Sequence, residues 1–440
     1  MPETYEQKRL KFWHVLLGIF ILLIFTWITF YMRSRAEFAA AMDKVRAAGH
    51  PITFAELNEW YSIPPGEQNA ADTILEALSY YNEWDREKTK PLPVIGEKEL
   101  LPDELYDPNT LNLARQYLAD NKEMLDLLHE AAKIKHARYP ADFEMGQAVL
   151  LQHLRPLRDA VRLISIEAQV QIENNQPQKA LQTLETMKAI SHSLANEPIL
   201  ISQLVLIACD NLTINTAERL ISRCDLSQAQ LNRLANLIAS MQANSPMKTG
   251  FIGERCFMVS YIADSSTAAM NGGGSGMRFA YAGLRISGLA YNDGVTNIEI
   301  QTQAIDLFKL PLADRLTAAD AIDKKIKALG YLNFFTKITM PAIVRVIQRD
   351  VKYAANLDVA QTAIAVEKYK RTTGNLPKNL IDLTPEYIKE IPTDPFDGKP
   401  LRYKKTEKGF IVYSIGQDKT DDGGLKGKKS TGDITFQINP

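Results

Sequence analysis

The residues able to do chemistry in this 440-residue chain begin with six histidines: His14, His50, His129, His136, His153 and His192. Their positions match neither His-Glu-x-x-His nor a related metal-binding spacing. His129 and His136 could share one helix face, but Lys133 and Lys135 between them mark a solvated surface, and a metal site needs more than two histidines. The three cysteines, Cys209, Cys224 and Cys256, stand far apart without a Cys-x-x-Cys pair. That spacing argues against zinc or dithiol chemistry and for buried, apolar-like residues. Ser260 and Ser266 lack the Gly-x-Ser-x-Gly elbow of a serine hydrolase. Glu254 and Asp264 are candidates for paired carboxylates in a cleft, although such pairs are common on surfaces. The run Asn271-Gly272-Gly273-Gly274-Ser275-Gly276 has no strand before it and no Lys-Ser or Lys-Thr after it, so it reads as a loop tip and not a phosphate cradle. No acid, base and nucleophile can be assembled from these motifs, so the chain reads as a non-enzyme. The alternative is a cell-envelope hydrolase without a recognisable motif. Net charge is −1, and with no arginine-rich face nucleic acid is not an expected partner.

The elements that position these residues start with an apolar one. Phe12 to Met32 carries no formal charge and is rich in Leu, Ile and Phe. At 1.5 Å per residue it reaches ~31 Å, the thickness of a bilayer core. Phe12 and Trp13 at one end, and Trp27, Phe30 and Tyr31 at the other, suit interfacial anchoring. A cleaved signal peptide would have a shorter apolar run followed by small residues. Here Phe30-Tyr31-Met32 and Arg33 follow, which favours a retained anchor contacting membrane lipid through residues 12–32. Lys8, Arg9 and Lys11 precede the span and Arg33 and Arg35 follow it, a slight bias for a cytoplasmic N-terminus. The expectation is a single-pass membrane protein with residues 1–35 as tail and anchor and the bulk of the chain outside the cytoplasm.

Residues 36–350 read as one large helical domain. Ala36 to Met42 continues the apolar helix outward. Thr53 is placed as an N-cap with Glu56 three residues on, and Pro64-Pro65-Gly66 stops that element. Asn69 opens a helix to about Trp84, and Lys88 to Asn109 reads as a surface loop. Asp159 to Glu173 places Val161, Ile164, Ala168 and Ile172 on one stripe. Asn174-Asn175-Gln176 turns the chain, and Pro177 starts a helix with Ala180, Leu181, Leu184 and Met187 inward. The pair resembles a tetratricopeptide hairpin, but no second copy makes a repeat array. Ile199 to Cys209 is apolar yet too short to span, so Leu200 to Ile221 reads as a core helix. Ser227 to Met241, Leu307 to Leu329 and Ala342 to Arg371 complete the helical part.

Residues 351–440 differ in pattern. A helix with Leu357, Ala360 and Ile364 at helical spacing ends before Gly374-Asn375-Leu376-Pro377. A short segment, Leu380 to Ile388, leads to Asp394-Pro395-Phe396-Asp397-Gly398-Lys399-Pro400-Leu401. Strand candidates follow at 401–404, 409–413 and 433–438, with Tyr413-Ser414-Ile415-Gly416-Gln417-Asp418 and Gly432-Asp433-Ile434 around the last loop. In combination these motifs resemble the globular domain of a type II secretion major pseudopilin. The resemblance covers about residues 351–440 and implies a small α+β domain with a short antiparallel sheet. The whole chain is then mainly α.

The resemblance also implies calcium in the loop before the last strand. Carried across by motif, Asp418 and Asp433 are the carboxylate ligands, Asp421 and Asp422 are further acids, and the Ile415 carbonyl adds an oxygen. A hard cation takes six to eight such oxygens. Lys419, Lys426, Lys428 and Lys429 enter the same loop and weaken its field for cations. The alternative is a solvated loop in which Asp433 caps a strand. The family's peptidase site, a Gly before Phe or Met with Glu fifth, is not found in Gly18-Ile19-Phe20-Ile21-Leu22-Leu23. The expected role is interaction or scaffolding in a bacterial envelope, with envelope or secretion-system proteins as partners and a type II secretion or pilus-like assembly as the setting.

Overall fold

In a computed structural model, residues 5–148, 151–242, 245–263, 282–340, 343–425 and 432–439 are described. The loop tip 271–276 lies outside them, as do Asp264, Ser266, Lys426, Lys428 and Lys429. The chain is 66% helical with one three-stranded antiparallel sheet, which makes it mainly α. The helices are α1 Tyr5–Ala47, α2 Phe54–Trp60, α3 Ala70–Ser79, α4 Arg86–Thr89, α5 Pro108–Asp120, α6 Lys122–Ala131, α7 Leu154–Glu173 and α8 Pro177–His192. They continue with α9 Leu200–Arg223, α10 Gln228–Gln242, α11 Pro246–Ala263, α12 Leu289–Asp306, α13 Leu312–Ala328, α14 Phe334–Thr339 and α15 Ile343–Thr373.

The apolar N-terminal run and its extension form the single 43-residue helix α1. It stops where Gly49 takes the left-handed conformation, φ 77°, with Pro51 beyond. Thr53 caps α2 by accepting from the Glu56 amide, and the Glu56 carboxylate accepts from the Ile52 amide. The α7–α8 hairpin forms as its pattern predicts. Asn175 turns the chain at φ 53°, Pro177 opens α8, and all eight stripe residues are buried. α9 is apolar enough to cross a membrane, but 56% of its most apolar stretch is buried inside the protein, which makes it a core helix. The three cysteines are buried free thiols.

β1 Arg402–Lys405, β2 Phe410–Ser414 and β3 Ile434–Ile438 pair in that order, with Tyr403 opposite Val412 and Val412 opposite Phe436. Alternation puts Phe410, Val412, Phe436 and Ile438 against α15. The boundary drawn at 350/351 falls inside α15, and one hydrophobic core runs from Ile74 of α3 to Ile438 of β3. The small module therefore shares its core with the helical body.

Close backbone approaches fix the direction of the long helices. A Cβ on Gly253 would sit 1.6 Å from the Pro198 carbonyl, and one on Gly250 would sit 2.9 Å from Leu200 Cα. α9 thus starts beside the middle of α11 and runs back along it. Ala263, the end of α11, accepts from Arg285 at 2.8 Å, next to the turn that meets α1. The far end of α9, where Arg219 binds the Leu101 carbonyl, lies roughly 50 Å of helix away from that end.

Candidate functional site

The C-terminal loop holds the acids that the family resemblance singles out. Asp418 accepts from the Thr420 and Gly432 amides at 3.1 and 2.9 Å, and those bonds hold its carboxyl below the ordinary range. Asp421 accepts from the Gly423 amide at 2.9 Å and lies 3.7 Å from Arg402. Asp433 accepts from the Gly424 and Asp422 amides at 2.7 and 3.4 Å. Burial pushes the Asp433 carboxyl up against the pull of those amides, and the Asp421 and Asp422 charges push it the same way. The exposed Asp422 thus enters through its backbone amide. Ile415 is buried, and its amide donates to Asp394 at 2.9 Å. Among the described residues no three His, Cys, Asp or Glu side chains are grouped to hold a metal ion. Asp418, Asp421 and Asp433 close turns of the loop by accepting from its backbone amides.

The Asp-Pro-Phe-Asp motif has a different job. Asp394 has no exposed surface. Its carboxylate accepts from the Phe396 amide, the Ser414 hydroxyl and the Ile415 amide at 2.9–3.0 Å, and from Arg402 Nη1 at 2.6 Å. Arg402 also pairs with Asp397. One buried carboxylate therefore ties the turn to the end of β2 and the start of β1.

Three of the histidines, His129, His153 and His192, are tied into the body. His129 bonds Thr186 and Glu167, each at 2.9 Å, so it bridges α6 to the α7–α8 hairpin and corrects the solvated-surface reading. His153 is buried against Glu197 and stacks on Tyr139. Ser191, His192 and Asp210 have the residue types of a hydrolytic triad. In this geometry Ser191 and His192 both bond the Asp210 carboxylate, at 2.7 and 3.0 Å, and Tyr353 joins at 2.5 Å. A triad needs the imidazole between serine and acid. Here the acid is the hub, and it joins α8, α9 and α15. Glu254 stands at the start of α9, where the Leu200 amide bonds it and burial pushes its carboxyl up.

A cavity of about 300 Å³ opens between the ends of α10 and α11, α13 and α15. Asp350 in its wall bonds Ser245 and Arg315 at 2.8 and 2.9 Å. Burial drives its carboxyl up against both partners. Asp358, on the same wall, bonds Gln242 at 2.8 Å, and burial pushes it up to about 6. The sequence hid this pair because α15 reads as an ordinary amphipathic helix.

The most specific assembly is the seam between α1 and α12. α1 exposes its apolar first half, Phe12 to Phe30. From Phe30 onward it lies along α12. Gly288, at φ 85°, presents its open side 3.1 Å from Tyr31 Cα and 3.4 Å from the Phe30 ring. The Tyr31 and Tyr291 rings meet edge-on. Gly294 faces the Phe38 ring so closely that a Cβ would fall within 2.6 Å. Phe38, Val45, Ile52, Val259, Ile262, Tyr291 and Ile298 form a small core there. Trp27 donates its indole N–H to the Ile286 carbonyl at 2.9 Å.

Compared with known proteins, the chain matches no family model, and no curated protein or solved structure matches it.

Proposed function

We propose that this protein is a single-pass membrane protein whose helical body acts as an interaction platform at a bacterial envelope. The observation that carries the reading is α1: an apolar half long enough to cross a bilayer, exposed along its length, and joined without a break to a half packed into the body. Lys8, Arg9 and Lys11 support a cytoplasmic N-terminus, with the body on the other side. The C-terminal motifs support a setting near a type II secretion or pilus-like assembly. Fractionation tests the anchor: the full chain should stay in membranes through alkaline carbonate, and a Phe20→Glu/Leu23→Glu variant should be released. Release of the unaltered chain would overturn the reading. Pull-down from membranes, with and without residues 375–440, then tests the setting.

The cavity at Asp350 and Asp358 favours a second reading, an acid–base site in an envelope hydrolase. Asp358 has the raised carboxyl of a general acid. Asp350 is held by Arg315 and Ser245, which suits a structural role equally well. Hydrolysis of generic ester or glycoside substrates that disappears in Asp358→Asn would move the assignment to this site.

A further inference from the structure

The body carries exposed apolar side chains beside the point where α1 leaves its apolar half. We infer that this patch is a second membrane contact, which seats the body on the headgroup layer of the bilayer that α1 crosses. The inference rests on the anchored reading above and adds a lipid surface as the occupant of the patch.

Depth is set by the seam. Trp27 lies inside the apolar run, and its indole binds the carbonyl of Ile286, whose own side chain is 61% exposed. The turn that begins α12 therefore stands at the height of the last turn of the span. Asp293 lies ~7 Å further along α12. It holds α14 by accepting from the Phe335 and Thr336 amides at 2.7 and 3.3 Å, and Asn333 bonds Thr296 at 3.1 Å. The headgroup layer adds roughly 5–8 Å on each side of the hydrocarbon core. α14 and the turn before it are thus fixed at headgroup height.

At that height the chain is apolar and turned outward. Tyr331 is 96% exposed, and Leu332, Phe334 and Ile338 are more than half exposed. Phe334 and Ile338 are one helical turn apart and share a face. Thr336 is buried on the other side. Lys337 lies over the Tyr331 ring at 5.7 Å, an aromatic–cation pairing suited to a headgroup layer. In water this surface has no reason to stay open. Continuity with α1 points to lipid as its cover, because a chain that spans with α1 brings this segment to headgroup height.

The test uses the full chain in phosphatidylcholine–phosphatidylglycerol nanodiscs containing nitroxide lipids. A bimane fluorophore is placed on one introduced cysteine at a time, Leu332→Cys, Ile338→Cys, Leu22→Cys or Leu101→Cys. The native thiols are buried and stay unlabelled. Headgroup nitroxide should quench labels at 332 and 338 at least about twofold more than at 101, which sits at the far end of the body. Acyl-chain nitroxide should quench the label at 22. Quenching at 22 with 332 and 338 no higher than 101 overturns the seating surface and leaves the anchor, as a protein partner on this face would. No quenching at 22 overturns the anchored reading itself.

Discussion

The two ends of the body engage the side chains singled out above in different ways. At the distal end, Asp394, Asp418, Asp421 and Asp433 all meet backbone amides of their own module. At the proximal end, Phe334, Ile338 and Leu332 stand clear of the core while α12 is locked to α1 by ring contacts and a close glycine approach. The difference separates two uses of residues that look functional in a sequence. An acid that accepts from the amides beside it orders its own turn. A cluster of apolar side chains left outside the core is open to a contact beyond the chain, the one proposed above being lipid.

The largest break in that contrast should come from Asp394→Ala. It removes one of the two close carboxylates of Arg402, leaving Asp397, and the acceptor for Phe396, Ser414 and Ile415. Losing one partner of a buried pair costs about 3 kcal/mol or more, which a denaturant midpoint would register. A loss below about 1 kcal/mol would mean that Asp397 and water replace it. At the proximal end, Gly294→Val drives a side chain into the Phe38 ring and should cost ~2 kcal/mol by overpacking. Limited proteolysis should then cut near residues 48–53 while the C-terminal module stays resistant. Unchanged resistance at 48–53 would show that the seam repacks.

Midway between the ends, Asp358→Asn should stabilise the protein. Its folded carboxyl titrates at about 6, above the ~4 of an unfolded aspartate. The folded state therefore holds the proton more tightly, and its contribution to stability is fully present below roughly pH 4. It is lost as pH rises through about 6, by roughly 2–3 kcal/mol. The asparagine variant should abolish that slope in thermal melts, and an unaltered slope would place the titration elsewhere. The smallest effect belongs to Trp27→Phe, which removes one indole bond worth ~1 kcal/mol. Amide exchange around Ser287 and Gly288 should quicken by about fivefold, with β2 and β3 unaffected.

Much of this architecture is legible from local pattern. The α7–α8 hairpin, the Thr53 cap, the apolar run in α1 and the three strands each depend on neighbours a few residues apart. The cap, the hairpin turn and the strands appear within a residue or two of their expected places, while α7 starts five residues earlier than Asp159 and α1 runs well beyond the apolar stretch. What was hidden depends on long-range pairing. Nothing near Asp210 announces that Ser191, His192 and Tyr353 will meet on it. Nothing near Asp350 announces Arg315 or Ser245. The Asp-Pro-Phe-Asp motif was visible as a signature, but its physical work appears only when β2 returns Ser414 and Ile415 to Asp394. The acids of the last loop were visible as spaced carboxylates, but which amides Asp418, Asp421 and Asp433 would accept from appears only once the loop is folded.

α1 passes from its exposed apolar half into the seam with no glycine or proline between Phe20 and Ala47. There is no joint at the boundary. The molecule therefore behaves as a mast stepped into a hull. A helix tilt of about 20°, ordinary for single spans, would swing a point roughly 50 Å up by some 15 Å or more. On the anchored reading, the tilt of α1 would thereby set how far from the membrane normal the sheet at the masthead can reach.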